Sequence, residues 1–209
     1  MEQSLKPMIE QLEDLFSKFN SRFYDGKLQT PVITISPDTT KGAYGWCTGW
    51  KAWHSKKTPP NTDSNDGYYE INMCAEYLSR PFEETACTLL HEMAHLYNLE
   101  IGVQDTSRGG TYHNKKYKET AESHGLIVTK DSKYGYCRTT LNDEAKAFVE
   151  QFNHTVFSLY RKSAMKAKKE KKSSSSRKYV CPDCGCIIRA TKEVHVICAD
   201  CNIPFEEEL

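Results

Sequence analysis

The chain has no run of about 18 apolar residues that could cross a bilayer as a helix, no internal repeat and no net charge. Its N-terminus, MEQSLKPMIEQLEDLF, lacks the basic start and apolar stretch of a signal peptide; it is acidic and amphipathic. These absences exclude a helical membrane protein and a solenoid, and they predict a soluble cytoplasmic protein without a membrane partner. A hydrophobic fraction of 38%, with 11% aromatics, is that of a globular chain, and 209 residues suffice for one medium domain and a small appendage.

The zero net charge hides an asymmetry. Residues 161–178, RKSAMKAKKEKKSSSSRK, hold nine Lys or Arg against one Glu, whereas 179–209 hold two against six and 1–160 hold 17 against 21. A concentrated cation run is a polyanion footprint, which makes nucleic acid a candidate partner. Lys168, Lys169, Lys171 and Lys172 are candidate phosphate contacts. The same low-complexity stretch also reads as a solvated linker. The segment YGWCTGWKAWHSKK interleaves tryptophans with lysines, which makes Trp46 and Trp50 candidate base-stacking residues, although core packing accounts for tryptophans equally well.

The nine cysteines include two C-x-x-C pairs near the end, Cys181 with Cys184 and Cys198 with Cys201. Without an export signal, and without the βαβ context of a redox motif, metal is the better expectation than disulfides. Four thiolates on two knuckles make a closed tetrahedral zinc site, and a unit of about 30 residues has too little core to fold unaided. The remaining Cys47, Cys74, Cys87 and Cys137 are irregularly spaced and read as small hydrophobes.

Along the chain, Met8, Ile9, Leu12, Leu15, Phe16, Phe19 and Phe23 recur at helical spacing, with Pro7 early and Asp25-Gly26 as a stop. Runs at 30–36, 42–55 and 67–74 predict three or more strands, antiparallel in part. Pro81 opens a second helix to about Leu99, a third is expected from His113 to His124, and a fourth from near Asn142 through Phe152, Val156, Leu159 and Tyr160. The predicted organisation is a domain over 1–160, a basic linker over 161–178 and a zinc ribbon over 179–209.

The second helix contains CTLLHEMAHLYN. At about 100° per residue, Ala86, Leu89, Leu90, Met93 and Tyr97 share one arc and His91 and His95 lie together well away from it. Two imidazoles one turn apart can converge on one ion, and Glu92 beside them can touch a water there. Zinc with two imidazoles and a third protein ligand leaves a fourth position for water, which Glu92 can deprotonate. Peptide hydrolysis is the chemistry such a constellation serves. The third ligand is not the histidine six residues after His95 that a metzincin needs, because Ile101 stands there. By spacing alone, His113, Glu119 and Glu122 are all open.

The stretches FNSRFYDGKLQTPVITIS, YEINMCAEYLSRPFEETACTLLHEMAHLYN and GGTYHNKKY, in this order, resemble the SprT-like metalloproteases, the family of bacterial SprT and eukaryotic Spartan. The resemblance covers about residues 8–125 plus the terminal cysteine unit. It implies an α+β, zincin-like fold with a small mixed sheet and the H-E-x-x-H active-site helix. It further implies a zinc metalloendopeptidase acting on DNA-associated protein, with one catalytic and one structural zinc. It favours His113 as third ligand, with Tyr117 the aromatic four residues on and Asn114 where the family usually has Gly. Arg108, Tyr112 and Tyr117 are weak candidates for steadying an oxyanion.

Overall fold

The computed structural model describes residues 4–39, 42–57, 66–162 and 176–208, which fall into two units, one within Met1–Ser163 and one within Ala164–Leu209. Lys168, Lys169, Lys171 and Lys172, and most of the expected basic linker, lie outside the described residues. The architecture is α+β, with four α-helices and several small sheets among the described residues. No helix among them is long and apolar enough to cross a membrane.

Helix α1 (Lys6–Phe23) forms where its apolar residues repeat every three or four positions, and its buried residues are Met8, Leu12, Leu15, Phe16 and Phe19. Tyr24 and Gly26 both donate their amides to Asn20 O while Asp25 and Gly26 take positive φ, which stops the helix at the expected place. The first sheet has the order β1 (Val32–Ser36), β5 (Glu70–Cys74), β2 (Gly45–Cys47), with β5 parallel to β1 and antiparallel to β2. Ile71 to Cys74 are all buried, as befits a strand covered on both faces. Within it, Asn72 Oδ1 accepts from Thr34 Oγ1 at 3.0 Å and Ser36 Oγ at 2.8 Å, so its buried amide is satisfied. A two-stranded ribbon, β3 (Trp53–His54) with β4 (Gly67–Tyr68), stands beside this sheet in sequence.

Helix α2 (Phe82–Glu100) begins after Pro81 with Glu83 and Glu84 in its first turn, where the positive end of the helix dipole favours them. It is enclosed on more sides than a half-solvated helix: Ala86, Leu89, Leu90, Met93, Ala94 and Leu96 have no exposed surface at all. It packs on α1, β2 and β5, closely at Gly45, where an added Cβ would lie 3.0 Å from Thr88 Cγ2 and 3.4 Å from Glu92 Cγ of the helix.

Past α2, the chain departs from expectation. A second sheet, in the order β6 (Thr106–Ser107), β7 (Tyr112–His113), β9 (Gly135–Leu141), β8 (Leu126–Asp131), occupies a stretch in which no strand was predicted. Accordingly, α3 spans Lys115–Ser123 and His113 belongs to β7 rather than to the helix. The cause is Asn114, which is extended and caps α3 by accepting from the amides of Lys116 and Tyr117, while His113 pairs with Thr106 and Gly135. The fourth helix, α4 (Asp143–Val149), starts where expected, capped by Asn142, but ends long before Tyr160. Asn153, His154, Thr155 and Val156 are poor helix formers, and Phe152, Phe157 and Leu159 pack against the core along an irregular path instead. The second unit is a sheet in the order β11 (Ile187–Ala190), β10 (Arg177–Val180), β12 (Glu206–Glu208).

Candidate metal centre

His91 and His95 extend from α2, and His113 reaches them from β7. Their Nε2 atoms converge, with His113 Nε2 3.2 Å from that of His91 and 3.1 Å from that of His95. Three neutral imidazoles cannot satisfy one another at such distances, because each hydrogen bond consumes one proton and leaves lone pairs facing. A cation among them reverses the repulsion. Tetrahedral zinc with Zn–N of about 2.0–2.1 Å separates its donors by about 3.3 Å, so the cluster fits that metal. Burial, then the proximity of His95 and His113, drives His91 well below its ordinary pKa, and burial followed by His95 pushes His113 down to about 4. Both rings are therefore neutral near pH 7, as metal ligands must be.

The rings are backed unequally. His95 Nδ1 lies 2.7 Å from Asp105 Oδ2, which also accepts from Asn98 Nδ2 at 3.0 Å, and Asn98 Oδ1 in turn accepts from Thr120 Oγ1 at 2.7 Å. Burial opposes charge on His95, but the Asp105 carboxylate outweighs it and the pKa of His95 is raised. His91 Nδ1 lies 3.1 Å from Thr139 Oγ1, while His113 Nδ1 is buried without a partner. His113 is held instead by its backbone: its amide donates to Tyr134 O at 3.0 Å, and Gly135, at φ +73°, presses so close that a Cβ would sit 2.2 Å from His113 O. Asn114 joins this strand to the preceding loop by donating its amide to Asp105 O and its Nδ2 to Gln104 O, both at 2.9 Å.

Glu92 is 5% exposed, and burial lifts its carboxyl to about pKa 7, against the lowering effects of His95 and of the Cys47 amide that donates to it. Tyr117 lies under all three rings, with centroid distances of 4.8, 4.5 and 4.7 Å to His91, His95 and His113. Its hydroxyl donates to His91 O and its ring has no exposed surface, so it is a packing platform and not a free oxyanion donor. Arg108 stacks on Tyr112 at 4.7 Å. The alternative third ligands, Glu119 and Glu122, are exposed on α3, and Glu122 pairs with Lys118. Trp50 is 68% exposed, whereas Trp46 is half-buried with its indole nitrogen unpartnered.

In the second unit, the ligand atoms of Cys181, Cys184, Cys198 and Cys201 lie within 4.8 Å of one another, and the Sγ atoms of Cys184 and Cys198 are 3.7 Å apart. With Zn–S near 2.3 Å, tetrahedral thiolates stand about 3.8 Å apart, so this set also suits zinc. Gly185 at φ +69° allows its amide to donate to Cys181 O at 3.0 Å, closing the first knuckle. The amide of Cys184 is foremost among the groups that draw Cys181 down to about pKa 7, toward the thiolate a metal needs. Cys186 is exposed and stands apart from the four.

Residues 12–135 match the profile of the SprT-like family, which is more than half of the chain. The chain belongs to the SprT-like family. No curated protein and no solved structure matches it. The SprT-like span holds Glu92 and the three histidines and ends at the first residue of β9.

Asp105 and Thr139 were not singled out from the sequence. Asp105 carried a signal that a reading of spacing could use: an acid in a loop rich in glycine and polar residues between two expected ligands. Asp105→Asn keeps the shape but removes the charge behind His95. It is expected to weaken zinc binding 10–100-fold in chelator competition; unchanged affinity would show that packing alone orients that ring.

Proposed function

We propose that the protein is a zinc-dependent endopeptidase of zincin type, acting on proteins associated with DNA. The observation that carries the hydrolytic reading is the convergence of three imidazole Nε2 atoms beside a buried carboxyl whose pKa is lifted to about 7. In this reading His91, His95 and His113 hold the catalytic zinc, and Cys181, Cys184, Cys198 and Cys201 hold a structural one. Bound at the histidines, zinc supplies a Lewis acid for the scissile carbonyl and lowers the pKa of water to about 7.

Glu92 takes a proton from the attacking water and delivers it to the departing amine nitrogen, a shuttle that works best when the carboxyl titrates near the working pH. Its burial keeps bulk water from competing for that proton. Asp105 holds His95 in the tautomer whose Nε2 lone pair faces the site. The outer edge of β2 is unpaired among the described strands and lies next to α2, so an extended substrate chain can add to it by backbone hydrogen bonds.

The DNA part of the reading draws support from the basic run 161–178 and from the exposed indole of Trp50. The test is zinc counting on the purified protein alongside cleavage of a DNA-binding protein, with and without single-stranded DNA. Two zinc ions per chain and cleavage stimulated several-fold by DNA are expected. DNA binding without any proteolysis would overturn the enzyme reading, and cleavage indifferent to DNA would overturn the substrate class.

A further inference from the structure

We infer that Thr139 is a positioning residue for His91, and that β9 therefore belongs to the metal centre although all but its first residue lies beyond the SprT-like span. The inference rests on the reading of His91, His95 and His113 as zinc ligands. His91 presents Nε2 to His113 and turns Nδ1 toward Thr139 Oγ1, 3.1 Å away. For Nε2 to offer a lone pair, the ring proton must sit on Nδ1, and a neighbour that accepts this proton selects that tautomer and fixes the ring plane. Thr139 supplies the acceptor.

The position of Thr139 is determined by the sheet. It pairs with buried Val128 across the β8–β9 ladder, while its neighbours Arg138 and Thr140 are exposed, so the alternation of the strand turns Thr139 toward α2. On the α2 side, Cys87 Sγ also meets the same oxygen, at 3.7 Å. Cys87 and His91 are one helical turn apart, so a single hydroxyl bridges two successive turns of α2 to β9. Valine at this site keeps the branched shape but leaves the His91 N–H buried without an acceptor, whereas serine retains the hydroxyl.

The same strand serves His113 through Gly135, its ladder partner. β9 thus orients two of the three rings, one through a side chain and the other through its backbone. Asp105 does the corresponding work for His95 from a different loop.

The test uses full-length parent, Thr139→Val and Thr139→Ser proteins. Zinc affinity at the histidine site is read by competition with a chromophoric chelator, and the His91 tautomer by ring 15N NMR of the metal-free proteins. Thr139→Val is expected to bind zinc 10–100-fold more weakly and to lose the predominance of the Nδ1–H form. Thr139→Ser should stay within about threefold of the parent, and the four-cysteine site should be unaffected in both. Parent-like affinity in Thr139→Val, equal loss in both variants, or an unaltered tautomer in Thr139→Val overturns the role of Thr139 while leaving the ligand reading in place. A parent protein that binds one zinc only, lost on Cys198→Ser, overturns the ligand reading and this inference together.

Discussion

Glu92→Gln is expected to retain the full zinc content and lose cleavage by about 10²–10⁴-fold. The three imidazoles are untouched by the change, and glutamine fills nearly the same volume at a position that is only 5% exposed. What disappears is a base that can both accept and return a proton. Metal analysis and a peptidase assay on the same sample check this, and a variant with parent-like activity would refute the assigned role. The variant should also differ in stability, with a definite pH dependence. Burial raises the Glu92 pKa from an ordinary 4.5 to about 7, so ionisation favours the unfolded chain between those values. The contribution of Glu92 to the stability of the metal-free parent therefore falls as pH rises from 4.5 to 7, by on the order of 3 kcal/mol. Metal-free Glu92→Gln protein should melt at a higher temperature than the parent above pH 7, and the gap should close below about pH 4.5.

The second large effect concerns the cysteine unit. Among its described residues only Tyr179, Cys181 and Cys198 are buried, so no hydrophobic core stands behind the small sheet. Zinc binding by four cysteines supplies on the order of 10–16 kcal/mol in comparable small domains, which is the whole of their folding free energy. Cys198→Ser removes a buried donor and is expected to collapse residues 176–208 to an unfolded chain while the helices of the first unit persist. Amide NMR dispersion reads the two units separately. Retention of the β10–β12 resonances in the variant would show that the sheet stands without its metal.

Legibility in the sequence followed the strength of local patterning. α1, α2 and the start of α4 near Asn142 could be read because apolar spacing, Pro and Gly marked the boundaries. The Cys and His-Glu-x-x-His groups were legible because ligand spacing is a short-range property. β8 and β9 were missed, although LIVTKDSKYGYCRTTL is rich in β-branched residues with Gly135 at the turn. His113 was placed at the start of a helix because it lies just past the Gly109-Gly110 loop, while the interactions that make it a strand residue come from Thr106 and Gly135, distant in sequence. The extension of the fourth helix failed because Phe152, Val156, Leu159 and Tyr160 sit at helical spacing, yet Phe152 and Leu159 reach the core without a helix. His124 closes α3 as expected, and its ring stacks on Tyr24 at 4.1 Å, where burial lowers its pKa.

Two imidazoles ride on a single helix and the third arrives on a two-residue strand from the far side of a loop that carries Gly102, Gly109 and Gly110 at positive φ. Under the proposed assignment, metal occupancy would act as a cross-link between α2 and the β6–β9 sheet, contributing about 4 kcal/mol when free zinc exceeds its dissociation constant a thousandfold. Loading and local order at this seam would then be thermodynamically linked, so the chain would close most tightly around Glu92 only when the histidines are loaded.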